Sequence, residues 1–108
     1  NARYAAMRGV VSMAPRQEAA GLLMELAQRG HHGGVRGMAI SMLAGIEWQQ
    51  AVPMVLDALE DPDSHVRWSA DHALRSFSGK PEGVGCNPDA GDNDARRREA
   101  EKWRAQFR

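Results

Sequence analysis

One pattern of apolar positions returns three times along the chain, in Arg3 to Met13, Arg36 to Ile46 and Arg67 to Phe77, at spacings of 33 and 31 residues. Each segment opens on an arginine. A small alanine follows three residues later (Ala6, Ala39, Ala70), an apolar residue at seven (Val10, Leu43, Leu74) and another at ten (Met13, Ile46, Phe77). Offsets of three, seven and ten fall on one side of a 3.6-residue helix, so each segment predicts the same amphipathic helix. Two further stretches predict partner helices: Gln17 to Arg29, with Ala20, Leu23, Leu26 and Ala27, and Trp48 to Glu60, with Ala51, Val52, Val55, Leu56 and Leu59. Each partner ends in turn formers, Gly30-His31-His32-Gly33-Gly34 and Asp61-Pro62-Asp63-Ser64, which stop one helix and let the next begin.

A helix-turn-helix unit at this period predicts an all-α fold, a right-handed α-solenoid of antiparallel helix pairs in which each pair buries its apolar face on its neighbours. The expected organisation is a single domain: a partial repeat at 2–14, repeats at 16–47 and 48–79, a loop at 80–91 and a capping helix at 92–108. The Trp-Leu-Gly-Tyr pattern of tetratricopeptide repeats and the Thr-Pro-Leu-His pattern of ankyrin repeats are both absent. From Gly79 to Gly91 the chain is dense in turn formers and reads as a linker laid over the end of the array. Beyond it, Asp92 or Asp94 can cap a helix on which Ala100, Trp103 and Phe107 share one side. Trp103 and Phe107 are therefore expected to pack on the last repeat, with Arg96, Arg97, Arg98, Glu101, Lys102 and Arg104 as the polar outer face that a terminal unit needs.

The run Asp61-Pro-Asp-Ser-His-Val-Arg-Trp-Ser-Ala-Asp-His-Ala-Leu74 resembles the turn and second helix of a short bacterial HEAT repeat, similar to repeats of phycobilisome-lyase-like proteins. The resemblance covers residues 2 to about 79 and, more loosely, the C-terminal helix. It implies a structural ladder between successive repeats, made by a turn aspartate, Asp61 or Asp63, and the helix arginine Arg67. Arg36 is the equivalent arginine one repeat earlier, but its turn, Gly30 to Gly34, has no aspartate.

Composition narrows the functions. Fourteen basic and fourteen acidic residues cancel, so no bulk field draws the chain to nucleic acid or an anionic membrane. No apolar run approaches the roughly 20 residues that span a bilayer, and no basic-then-apolar leader is present, so a cytoplasmic location is expected. The single cysteine, Cys86, excludes an internal disulfide and a thiolate zinc cage. A start at Asn1-Ala2 inside a helical pattern is expected of the tail end of a longer array.

Catalytic, cofactor and metal sites are not expected. His31, His32 and His65 sit in equivalent turns but lack ligand spacing; Cys86 and the serines lack a positioned base; phosphate-loop and dinucleotide fingerprints are missing. The resemblance also brings in HEAT-like DNA glycosylases, for which Arg8, Arg36, Arg67, Arg75 and Arg96 to Arg98 would be the DNA-facing candidates. Interleaved acids, Glu18, Glu25, Asp57, Glu60, Asp71 and Glu99, argue against nucleic acid. A lyase-like chaperone of a pigment-bearing protein is a further alternative that the resemblance implies. The favoured expectation is a non-catalytic scaffold that binds a protein or peptide on the concave surface of the second helices. Arg8, Ser41 and His72, each five residues after a repeat arginine, are the candidate contacts. Exposed Tyr4, Met7 and Val11 would meet upstream repeats or a second copy.

Overall fold

A computed structural model describes residues 15–28 and 30–108 of the chain. The segment Arg3 to Met13, and with it Arg8, lies outside the described residues. In chain order the helices are α1 (Arg16–Leu26), α2 (Gly33–Gly45), α3 (Val52–Ala58), α4 (Ser64–Ser78) and α5 (Asn93–Arg104). A 3₁₀ turn at Gln49–Ala51 leads into α3 and another at Ala105–Phe107 follows α5. The described residues contain no strand, and none of their helices is long and apolar enough to cross a membrane.

The apolar stripes become the core. α2 and α4 pack side by side most extensively, with α1 against α2 and α3 against α4. Leu23 of α1, Ile40 and Leu43 of α2, Val55 of α3 and Val66 and Leu74 of α4 are fully buried, and alanines at 20, 39 and 70 let the helices approach. Glycine serves the same end at two places. A Cβ at Gly37 would lie 2.8 Å from the His65 ring and from Ser69 Oγ, and one at Gly33 would fall inside the Asp63 carboxylate. The α2–α4 seam can close only because both positions lack a side chain.

Helix starts lie three residues ahead of the repeat arginines because turn residues act as caps. His32 Nδ1 accepts from Gly34 N at 3.0 Å and Asp63 Oδ1 accepts from His65 N at 2.9 Å, each satisfying an otherwise orphaned donor. The partner helix expected from Trp48 to Glu60 is shorter. Trp48 stays outside it, and the α-helical run begins only at Val52, with Pro53 in the first turn where its missing N–H leaves no hydrogen bond unmade.

Both second helices end in the same two-bond cap. Glu47 N donates to Ala44 O and Trp48 N to Leu43 O at the end of α2; Gly79 N donates to Ser76 O and Lys80 N to Arg75 O at the end of α4. The left-handed residue is Gly79 (φ 72°) in one and Glu47 (φ 55°) in the other. Glu47 is held there by Arg16, whose guanidinium donates to Ile46 O (2.8 and 2.6 Å) and Glu47 O (2.8 Å) and lies 5.1 Å from the centre of the Trp48 ring. The surrounding bonds thus enforce a conformation that a side chain disfavours by about 1 kcal/mol.

α5 packs against α3. Asp92, rather than Asp94, caps α5, its Oδ1 accepting from Ala95 N at 2.8 Å. Trp103 is fully buried, its Nε1 donates to Asp71 Oδ1 at 2.8 Å, and Phe107 sits beside it with ring centres 6.3 Å apart. The two cap positions answer to opposite changes. Glu47→Gly should raise the melting temperature by a few degrees, and Gly79→Ala should lower it by a similar amount, about 1 kcal/mol each way, in thermal unfolding followed by circular dichroism.

Candidate functional site

The turn residues form a framework of buried charge. Arg36 Nη2 reaches from α2 to Asp61 Oδ1 at 2.9 Å, joining one repeat to the turn of the next, and its Nη1 donates back to His31 O. Asp61, only 3% exposed, also accepts from Asp63 N at 2.8 Å. Asp63 faces the first turn of α2 at Gly33 while capping α4. Arg67 takes a different part from the one the resemblance implied. Its hydrogen bonds go to carbonyl oxygens rather than carboxylates: Nη1 to Asp61 O (2.7 Å) and Pro62 O (2.9 Å), Nε to Pro88 O (2.7 Å). Burial, with Arg96 adding to it, pulls Arg67 below the usual arginine value against the opposing pull of Asp89, Asp61 and Asp63. The reason for the carbonyl partners is positional, since the turn and the loop bring their backbone oxygens to the buried base of α4.

Ser41 and His72 meet at the surface. Both are exposed, and with Ala44 and Ala73 they line one shallow groove of about 280 Å³ between α2 and α4. His65, Trp68 and His72 follow one side of α4 at spacings of three and four, extending the same face by two turns. Trp68 Nε1 donates to Asp89 Oδ1 at 2.7 Å, which fixes the indole at the surface. Arg8 has no described position.

The segment read as a linker is bound down at several points. Besides Arg67, Arg75 Nη1 donates to Pro81 O (3.1 Å), Lys102 Nζ to Gly85 O (3.1 Å) and Arg96 Nε to Ala90 O (3.1 Å), while Asn87 N donates to Glu99 Oε1 (2.7 Å). Val84 and Cys86 pack against the core. Burial, reinforced by Asp71 and Glu99, pushes the Cys86 thiol up to about 12, so at neutral pH it is a protonated packing group.

Of the basic residues considered for nucleic acid, Arg36, Arg67, Arg75, Arg96 and Arg97 have partners within the fold. Arg75 Nε pairs with Asp71 Oδ2 (3.1 Å), Arg97 lies 3.9 Å from Glu60 and 3.6 Å from Asp94, and Arg104 meets Glu60 (2.7 Å) and Asp57 (3.2 Å). The acids of these pairs lie between the basic side chains and break up their charge. Among the described residues no group of histidine, cysteine, aspartate and glutamate is arranged to hold a metal. Asp71 is the residue that sequence reasoning misplaced. Counted there among the interleaved acids of a charged face, it is 1% exposed and receives both Trp103 and Arg75. A signal was available: four residues after the repeat arginine, the other repeats carry Met7 and Ile40.

With this geometry in place, comparison with known proteins gives one match. The family described as HEAT repeats matches residues 21–85, more than half of the chain. No curated protein and no solved structure matches.

Two measurements test the framework. Asp61→Ala strands the Arg36 charge and removes the acceptor of Asp63 N, so urea denaturation should show a loss of about 3 kcal/mol. Cys86 alkylation at pH 8 should be at least about tenfold slower in the native protein than in urea, because burial disfavours the thiolate. The same linkage has a definite sign. A thiol whose folded value is raised from 9.0 to about 12 contributes its full stability below pH 9 and loses it as the pH climbs towards 12.

Proposed function

The chain belongs to the HEAT-repeat family, and we propose that it is a non-catalytic scaffold that binds a protein or peptide on the surface shared by α2 and α4. HEAT repeats commonly serve as protein-interaction scaffolds. The observation that carries the proposal is the groove flanked by Ser41 and His72, two equivalent positions of successive repeats that meet at one opening. Its floor is Ala44 and Ala73, so a partner's side chain can enter without displacing a large group, and the serine hydroxyl and imidazole supply hydrogen bonds at the rim. Equivalent positions on adjacent repeats suit an extended segment, which can repeat its contacts as the helices repeat. The framework charges support the same reading from the other side. Arg36, Asp61, Arg67 and Asp71 are consumed in holding the elements together, and surface recognition is left to the weakly charged stripe.

Blocking the groove tests the proposal. Partners captured from cell extract by the intact chain should be lost with Ser41→Trp, which fills the groove, and retained with Glu25→Ala, an exposed change on α1. Identical partner lists for the two variants would discard the assignment to this face.

A further inference from the structure

Trp68 is the one large hydrophobic residue exposed among the described residues, at 42%. Its setting is unlike that of a stray surface side chain. The indole N–H is taken by Asp89 Oδ1 at 2.7 Å, Asp89 N donates to Asn87 Oδ1 at 3.0 Å, and Asn87 N donates to Glu99 Oε1 at 2.7 Å. Between them, Pro88 O receives the buried Arg67 at 2.7 Å. The loop is thus tied to α4 on one side and to α5 on the other, and the ring it pins is ordered before any partner arrives. Pre-ordered aromatic groups make efficient anchors because little freedom remains to be lost on binding.

What such an anchor accepts follows from the groups it leaves free. With its donor used, the indole offers only its π face, which carries partial negative charge. Asp89 is exposed and turns one oxygen to the indole, so the other remains for a second donor. A π face beside a carboxylate complements a cation with an apolar stem. The chain contains the same pairing internally, where Arg16 covers the Trp48 ring at 5.1 Å. Opposing charges are also close. Arg67 and Arg96 both feel this region, but Arg67 is buried and gives its N–H groups to three carbonyls, and Arg96 Nε is bound to Ala90 O.

We propose that Trp68 and Asp89 form a subsite for an arginine or lysine side chain of the bound protein or peptide, one helical turn along α4 from the Ser41–His72 groove. The inference rests on the reading of that face as the binding surface, and names the chemistry of its partner. Stacking of a nucleic-acid base on the same ring is disfavoured, because the nearby phosphate would approach the Asp89 carboxylate.

The probe is a short Gly/Ser peptide carrying two arginines, with its citrulline counterpart as a neutral match of the same shape. The Trp68 indole resonance, assigned from Trp68→Phe, should shift saturably with the arginine peptide at millimolar concentration and stay still with citrulline. Asp89→Asn keeps an acceptor for the indole and removes the charge, so it should weaken binding about fivefold without altering the fold. Equal shifts from the two peptides, an unchanged affinity in Asp89→Asn, or a shift produced by a single-stranded oligonucleotide instead would overturn the subsite. Ser41→Trp separates the two levels. If it abolishes partner capture while Trp68→Phe leaves capture unaltered and Asp89→Asn leaves both capture and peptide response unaltered, the face binds but the cation subsite is wrong. If none of the three changes capture, the face itself is wrong.

Discussion

Two buried charges on α4, four residues apart, hold the second half of the molecule together. Arg67 is 5% exposed and Asp71 1%, and neither charge can remain in an apolar interior without partners. The demand is met from distant parts of the chain. Arg67 collects carbonyls from the turn at 61–62 and from Pro88; Asp71 collects the Trp103 indole and Arg75, which in turn holds Pro81. One helix therefore fixes the turn before it, the loop after it and the terminal helix. Removing either charge would leave its partners unsatisfied, a penalty of several kcal/mol in a fold whose whole margin is about 5 to 15 kcal/mol.

Seen from this helix, the structure has two kinds of joint. On the side towards α2 the seam is made of small residues and shape, with Gly33 and Gly37 allowing Asp63, His65 and Ser69 to come close, and Arg36 with Asp61 as its charged clasp. On the side towards the C-terminus it is made of polar bonds to loop and cap. A seam of the first kind can be repeated as long as helices of the same pattern follow, which is how solenoids extend. A joint of the second kind depends on particular donors and acceptors, those of Arg67, Trp68 and Asp71 on α4. Trp68 illustrates the change: it stands in the repeat register where Gly37 stands one unit earlier, and Asp89 of the loop, not another helix, is its neighbour.

The helical stripes could be read from the chain because they depend on local periodicity alone, and the cores of α2 and α4 contain the residues that the pattern names, Ala39, Leu43, Ala70 and Leu74. Boundaries were less legible. His32 and Asp63 serve as caps through turn geometry, and Trp48 drops out of α3 because the chain reverses through Glu47, a left-handed position that gives no sign in a sequence without glycine there. The 80–91 loop looked like a plain linker since its own residues are turn formers; what orders it are side chains of α4 and α5. The ladder was legible as residue types and not as pairings. Arg36 finds the next repeat's Asp61 although its own turn lacks an aspartate, while Arg67 turns to backbone. For the surface, the shared offset that singled out Ser41 and His72 is a property of the repeat, and the groove between them follows from packing the two helices in register.

The distribution of charge suits the proposed recognition through a few anchors. Most of the arginines at the core of the fold are committed to carboxylates or carbonyls, so the molecule cannot draw a partner by a broad field, and its formal net charge is zero. Affinity must then come from short-range contacts on surfaces that are already ordered. Rigidity on that surface is inherited from the interior, since the same Arg67 that satisfies the turn before α4 also places Pro88, and Pro88 precedes the aspartate that pins Trp68. The stability framework and the proposed recognition face are in this sense one network, in which two hydrogen bonds link the buried Arg67 through the 88–89 loop to the exposed indole.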